Sequence, residues 1–124
     1  MKQQSCVNRR NEGSAYENRA KTYFLNLGYR FLAQNVAYKF GEIDLIFEQR
    51  IGSGIELVFV EVRKRTTGSS FIQARESVTF PKLRRIKIAI NQYLLRYQGA
   101  AKSIRIDLVA FENDEIFHYP DFMR

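Results

Sequence analysis

The sequence of 124 residues is poor in several residue types, and each scarcity excludes a class of protein. It has one cysteine, two prolines, one histidine and no tryptophan. Because Cys6 has no partner, an intramolecular disulfide framework is excluded, which is typical of a reducing cytoplasm. No apolar run approaches the ~18 residues of a membrane span, and residues 1–13 lack the apolar segment of a secretory signal. We therefore expect a cytoplasmic protein without a membrane partner.

Acidic residues are almost absent from one long segment. Between positions 63 and 105 the chain has eleven lysines and arginines against Glu76 alone. The net charge of this segment therefore exceeds the formal net charge of +7 of the whole protein. A basic block of this size predicts a polyanionic partner, nucleic acid before membrane. The alternative is a solvated basic face that keeps the protein soluble.

The hydrophobic periodicity predicts a single mixed α/β domain over residues 14–119, between a flexible tail at 1–13 and a C-terminal tail at 120–124. The expected order is α-β-β-β-α-β-(β), a mixed sheet with helices packed on it. We expect Thr79 to cap the second helix and Gly99 to end it. The predicted segments are a helix at 14–27, strands at 30–37, 42–48 and 55–64, a loop at 66–77, a helix at 80–98, and strands at 103–111 and 115–119.

Carboxylates interrupt the two strands of the predicted central hairpin, although acidic side chains are poor strand formers and costly to bury. If this hairpin is symmetric about its turn at Gly52 and Ser53, residues whose numbers add to 105 face each other. Asp44 then lies opposite Glu61, with Cβ atoms about 4.5–5.5 Å apart. Two like charges at this separation need a neutralising partner.

Two partners are compatible with that spacing. A divalent cation such as Mg²⁺ binds one or two carboxylates and keeps water molecules for a phosphate substrate. Alternatively, Arg63 or Arg65 acts as a structural counter-ion. By the same register Glu42 faces Arg63, and we expect it to be a salt-bridge partner rather than a metal ligand.

The sequence GEIDLI at 41–46, followed by FVEVRKR at 59–65, closely resembles the YraN-type endonuclease family. Further matches lie at Gly13, Glu17 and Ala20, at Gly28 and Tyr29, at 77–82, and at Arg105 and Asp107, so the resemblance covers residues 13–111. It implies the restriction-endonuclease-like superfamily, related to Holliday-junction resolvases. The implied fold is an αβββαβ core, a mixed central sheet flanked by helices.

This resemblance also implies a catalytic site. Asp44 and Glu61 are the implied ligands of Mg²⁺ or Mn²⁺, and Glu17 is an additional acid near the metal. Arg63 stands where the superfamily usually has lysine; arginine can hold a phosphate or stabilise developing charge but cannot act as a base. Glu17 also fits a capping box that begins at Ser14, so its site role and its capping role both stay open.

The function implied is hydrolysis of DNA phosphodiester bonds, in double-stranded, branched or damaged DNA, and the superfamily analogy adds a homodimer as an expected assembly. The residues expected to bind nucleic acid are Lys64, Arg65, Arg75, Lys82 and Arg85. A nuclease-like module that binds nucleic acid or serves as a DNA-processing scaffold without cutting is the alternative. The only histidine, His118, is expected at the surface.

Overall fold

The computed structural model describes residues 14–65 and 71–123, and their elements form one five-stranded sheet with helices packed against it. The elements are α1 (Ser14–Asn26), β1 (Arg30–Tyr38), β2 (Gly41–Ile51), β3 (Gly54–Arg65), α2 (Phe71–Glu76), α3 (Phe80–Arg96), β4 (Ser103–Glu112) and β5 (Glu115–Tyr119). The sheet order is β1-β2-β3-β4-β5. Among the strands of the described ranges, only the β3–β4 pair is parallel, and α2 and α3 lie in the crossover between these two strands. The predicted mixed α/β fold is confirmed.

The sheet separates two hydrophobic clusters. Alternation along β3 places Val58 and Val60 in the cluster with Ala20 and Phe24 of α1. Leu57 and Phe59 point to the other face, where they meet the buried stripe of α3, which consists of Leu83, Ile86, Ala89, Ile90 and Tyr93. The two helices therefore cover opposite faces of the same sheet.

Local sequence signals account for most of the element ends. The Oγ1 of Thr79 accepts a hydrogen bond from the Lys82 N–H (3.4 Å), as predicted for the N-cap of α3. Gly28 has φ +94°, and the Tyr29 N–H reaches back to the Phe24 carbonyl (3.1 Å), which ends α1 in a Schellman motif. The helix α3 ends at Arg96, before the predicted end at Gly99.

The predicted hairpin register is observed over its outer part. The pairs of β2 with β3 run from Ile51–Gly54 to Leu45–Val60, and every pair has numbers that add to 105. Ile43 departs from the expected alternation: it packs in the cluster under α3 rather than with Leu45 on the α1 face. For the residues of β2 that precede Leu45, the described pairs are with β1 and none is with β3. This part of β2 is therefore not held flat against β3.

Two further expectations need correction. Residues 71–76, part of the expected loop at 66–77, form α2; six residues are too few to show a helical period in the sequence. The expected C-terminal tail is packed over 120–123, because Phe122 is buried and its N–H donates to the Ile106 carbonyl (3.0 Å). The expected N-terminal tail at 1–13 lies outside the described residues, and so does the 66–70 part of the loop.

Candidate active site at the fork of the sheet

The site lies where β2 and β3 separate. After the Leu45–Val60 pair, β2 continues in pairing with β1, while Glu61 pairs with Leu108 of β4. The Val62 N–H donates to Oδ2 of Asp44 (2.8 Å) across this fork. That hydrogen bond aims the Asp44 carboxylate at β3, next to the neighbouring Glu61.

Asp44 and Glu61 are brought together as predicted. Their carboxyl groups share a hydrogen bond, and Glu61 is only 3% exposed. Burial, and secondarily repulsion from Asp44, raise the pKa of Glu61 to about 8, although Lys82 and Arg63 oppose the shift. The raised pKa favours the protonated, neutral form of the Glu61 carboxyl.

One oxygen of this acid pair is poorly satisfied. Among the described residues, none donates a hydrogen bond to the buried Oε2 of Glu61. Its nearest cations are the Nζ of Lys82 at 3.4 Å and Nη1 of Arg63 at 3.8 Å. A buried carboxylate oxygen in this position is costly without a stronger partner. Two adjoining carboxylates with an unsatisfied oxygen fit the few protein ligands that Mg²⁺ takes.

Lys82 contributes more to the site than its sequence position indicated. It lies at the N-terminal end of α3, and its Nζ also approaches Glu42 (3.9 Å), so one ammonium group contacts carboxylates of both strands. Arg85, one helical turn later, pairs with the same Glu42 at 3.5 Å. The i, i+3 spacing of Lys82 and Arg85 was the available signal, since such residues share a helix face. The expected pair of Glu42 with Arg63 stays a prediction.

Arg63 lies on the α3 side of β3 beside Glu61, as alternation predicts. Its Nε is buried, and no described residue accepts a hydrogen bond from it. The guanidinium therefore has an unused donor at the edge of the acid pair. This donor can hold an oxyanion, and because arginine stays protonated it cannot take a proton from water.

The other predicted site residues are dispersed. Glu17 is half-buried in the first turn of α1. No three His, Cys, Asp or Glu side chains in the described ranges are grouped to hold a metal ion, so Glu17 does not form one cluster with the acid pair. Lys64 lies over Tyr16 on the α1 side, with its Nζ 5.5 Å from the ring centre. Arg75 lies over Phe122, and the side chain of Arg65 is outside the described part of the chain.

A second polar cluster lies on the α1 face and corrects the expectation for His118. Its side chain is only 10% exposed, and Nε2 is 2.7 Å from Oδ2 of Asp107. Asp107 is fully buried and also contacts Arg105 through both carboxylate oxygens (2.8 and 3.0 Å). These hydrogen bonds, with the charge of Arg105, hold the pKa of Asp107 below its ordinary value against the effect of burial. A strand at 115–119 was predicted, but its pattern did not indicate that His118 would contact Asp107 of β4.

The sheet, its flanking helices and the acid pair at the fork define a class: a mixed α/β protein compatible with a restriction-endonuclease-like core. Residues 16–111 match Uncharacterised protein family UPF0102, and the chain belongs to this family. The predicted YraN-type relationship is therefore confirmed at the level of the family.

Individual relatives match over most of their length. A UPF0102 protein of Pseudothermotoga lettingae is 37% identical over 105 residues, which are 85% of this chain and 92% of the relative. One from Persephonella marina is 38% identical over 108 residues, with coverage of 86% and 88%. A Burkholderia mallei protein is 36% identical over 116 residues, with coverage of 94% and 77%. In the described part of this chain, no helix is long and apolar enough to cross a membrane.

Proposed function

We propose that this protein is a metal-dependent endonuclease that hydrolyses DNA phosphodiester bonds, with its catalytic site at the fork between β2 and β3. The observation that carries the proposal is the acid pair of Asp44 and Glu61, which are in mutual contact; Glu61 is buried, and its Oε2 lacks a hydrogen-bond donor among the described residues. The resemblance to the restriction-endonuclease-like superfamily supports the same reading of these two residues.

Asp44 and Glu61 are the residues that would hold Mg²⁺ or Mn²⁺. When bound, such a cation supplies an activated water and offsets negative charge on the scissile phosphate. Its positive charge would also offset the repulsion between the two carboxylates. The Val62 N–H keeps Asp44 oriented, so the two carboxylates present their oxygens from a fixed position on neighbouring strands.

The cations around the pair complete the site. Lys82 and Arg63 both lie within 4 Å of Oε2 of Glu61 and can hold the non-bridging oxygens of a phosphate. Because Arg63 cannot act as a base, a carboxylate of the acid pair is the group of this site that could accept the proton of the attacking water. Arg63 is then assigned to stabilising negative charge as it develops on the phosphoryl group.

The test is cleavage of labelled duplex, single-stranded, flap and four-way-junction DNA with Mg²⁺, Mn²⁺ or EDTA. We expect metal-dependent products that disappear in the nearly isosteric variants Asp44→Asn and Glu61→Gln. The matched control is Glu48→Gln, because Glu48 is also a buried β2 carboxylate but bonds to Arg30 (3.1 Å) and Tyr97 (2.5 Å). Cleavage that survives in Glu61→Gln would remove the acid pair from the mechanism.

A binding module without catalysis is the second candidate, favoured by arginine at position 63 and by the absence of a three-acid group among the described residues. It predicts salt-dependent DNA binding with no product under any metal condition. In that case Arg63→Lys, which restores the usual residue of the superfamily, is the informative variant. A gain of cleavage in Arg63→Lys would show that the site is built for hydrolysis.

A further inference from the structure

A groove with an exposed aromatic ring lies beside the acid pair, on the α3 side of the β1–β2 turn. Its wider part, about 580 Å³, is lined by Lys39, Phe40, Arg84, Arg85 and Ile88. A second part of about 190 Å³ continues past Phe40 towards Gln92. Phe40 is 66% exposed, and the wider part is lined by three cations and no acid.

The groove is connected to the acid pair by a chain of ion pairs. Lys82 contacts Glu61 and Glu42, and Glu42 contacts Arg85, with distances between 3.4 and 3.9 Å. Arg85 itself lines the groove. A strand whose phosphate lies at the acid pair therefore has the groove as a neighbouring contact surface along α3.

The aromatic ring is held on a rigid support. A Cβ at Gly41 would come within 2.4 Å of the Arg85 carbonyl oxygen and 2.7 Å of the Ala89 nitrogen, so the turn lies directly on the α3 backbone. The Lys39 ammonium is 5.4 Å from the centre of the Phe40 ring. Little conformational freedom is left for this turn to lose when a ligand stacks on it.

We propose that this groove binds unpaired nucleotides next to the cleavage site, with a base stacked on Phe40 and its phosphates on Lys39 and Arg84. The inference rests on the proposed nuclease function and narrows its substrate to DNA with a single-stranded part. Base faces in a continuous duplex are covered by their neighbours, so an exposed ring contributes to binding only where a base is unstacked. An apolar protein segment would use Phe40 but would leave Lys39 and Arg84 without an anionic ligand.

The test is fluorescence anisotropy in EDTA with labelled oligothymidine of about ten nucleotides and a duplex of the same length. We expect Phe40→Ala to weaken oligothymidine binding about tenfold, the loss typical of one stacked base, and to leave duplex binding unchanged. Phe40→Trp should retain the affinity and Phe40→Leu should not. The matched control is Phe80→Ala, since Phe80 is 79% exposed at the start of α3 but does not line the groove.

The outcomes separate this inference from the nuclease proposal. Unchanged oligothymidine binding in Phe40→Ala, or wild-type binding in Phe40→Leu, overturns the stacking role, and the latter indicates an apolar protein contact. Because Phe40 is exposed, circular dichroism of each variant should match the wild type. If Phe40-dependent binding persists in Asp44→Asn while no preparation cuts DNA, the nuclease proposal fails and the proposal that the groove binds unpaired nucleotides is supported.

Discussion

At the scale of single residues, what satisfies a buried carboxylate distinguishes a structural acid from a site acid. Glu48 receives hydrogen bonds on both oxygens, one from Arg30 and one from Tyr97. Asp107 is likewise satisfied on both oxygens. Glu61 contacts another acid and keeps one oxygen without a hydrogen bond from any residue in the described ranges. All three are strand acids, and only their surroundings separate their roles.

The first prediction concerns pH and the metal-free protein. The folded-state pKa of Glu61 is raised from about 4.5 to about 8, so the folded state retains a proton that the unfolded chain has lost. The stability contributed by this carboxyl is complete below about pH 4.5 and is lost as the pH rises towards 8. We expect Tm in EDTA to fall across this window, and Mn²⁺ to restore more of it at the alkaline end. Glu61→Gln should flatten the profile, and a profile parallel to wild type would contradict the raised pKa.

The second prediction concerns the Asp107 network. Asp107→Ala leaves Arg105, whose side chain is 12% exposed, without its main counter-ion. We expect a loss of about 3–5 kcal/mol in the free energy of unfolding, measured with urea. The lowered pKa of Asp107 means that its contribution is present above its ordinary pKa of 3.8 and is lost as the pH falls through the folded-state value. Asp114→Asn is the control, because Asp114 is exposed, and equal losses in the two variants would argue against the network.

Sequence reasoning reached the residues of the acid pair but not their full set of partners. Asp44 and Glu61 followed from strand alternation and hairpin symmetry, which are local rules. The contact of Lys82 with both strands depends on how α3 crosses the sheet, and no periodicity encodes that crossing. The burial of His118 depends in the same way on tertiary structure, because β5 lies beside β4 and the His118 side chain is turned towards α1.

At the scale of elements, the fork depends on the close approach of β2 to α3. Gly41 provides this approach, because any Cβ there would overlap backbone atoms of the helix. Glu42 follows directly and reaches Lys82 and Arg85 on the same helix. One glycine thus sets the distance between the strand that carries Asp44 and the helix that carries the site cations.

The third prediction tests this approach. Gly41→Ala should lower the free energy of unfolding by about 1–3 kcal/mol, since backbone atoms cannot move aside as a flexible side chain can. The rate of DNA cleavage should fall by more than the loss of folded protein accounts for, because the displacement moves Glu42 and Asp44 away from α3. The control is Gly54→Ala, where a Cβ would meet only the Ile51 carbonyl oxygen, at 3.8 Å. Similar stability of the two variants in urea would show that β2 does not need the close contact.

The elements themselves were largely predictable. Residues Asn113 and Asp114 both have positive φ, +52° and +66°, as expected for the tight turn between β4 and β5. The hairpin of β2 and β3 was predicted to the residue over its paired part. The position of Ile43 was not, because alternation assigns a face only while a strand lies flat in its sheet. The end of the β2–β3 pairing is a tertiary feature and left no mark in the pattern.

At the scale of the whole molecule, the charge is unevenly distributed over the fold. The basic segment from 63 to 105 includes the end of β3, the crossover helices and the start of β4. In α3 the stripe that packs on the sheet is apolar, and Arg84, Arg85, Lys87 and Arg96 are exposed. The cations therefore line the same side of the molecule as the acid pair, where a polyanion would have to bind.

The fourth prediction is a salt dependence with a local origin. The logarithm of the duplex binding constant should fall linearly with the logarithm of the salt concentration, with a slope of about −0.9 per neutralised phosphate. Arg84→Ala should make this slope less steep by about 1. Arg50→Ala, which removes an exposed cation near the β2–β3 turn, should leave it unchanged. Binding that is independent of salt, measured by anisotropy, would leave no role for the basic face in DNA binding.

The fork also has a mechanical consequence. β2 and β3 are paired continuously from Ile51–Gly54 to Leu45–Val60. Asp44 and Glu61 are the first residues beyond the last of these pairs. Any charge that draws their carboxylates together pulls two strands towards each other, and any charge that separates them opens the sheet from that point. A cation bound between the acids would therefore change the load on β2 and β3, and we expect amide hydrogen exchange at Val62, whose N–H donates to Asp44, to respond to it.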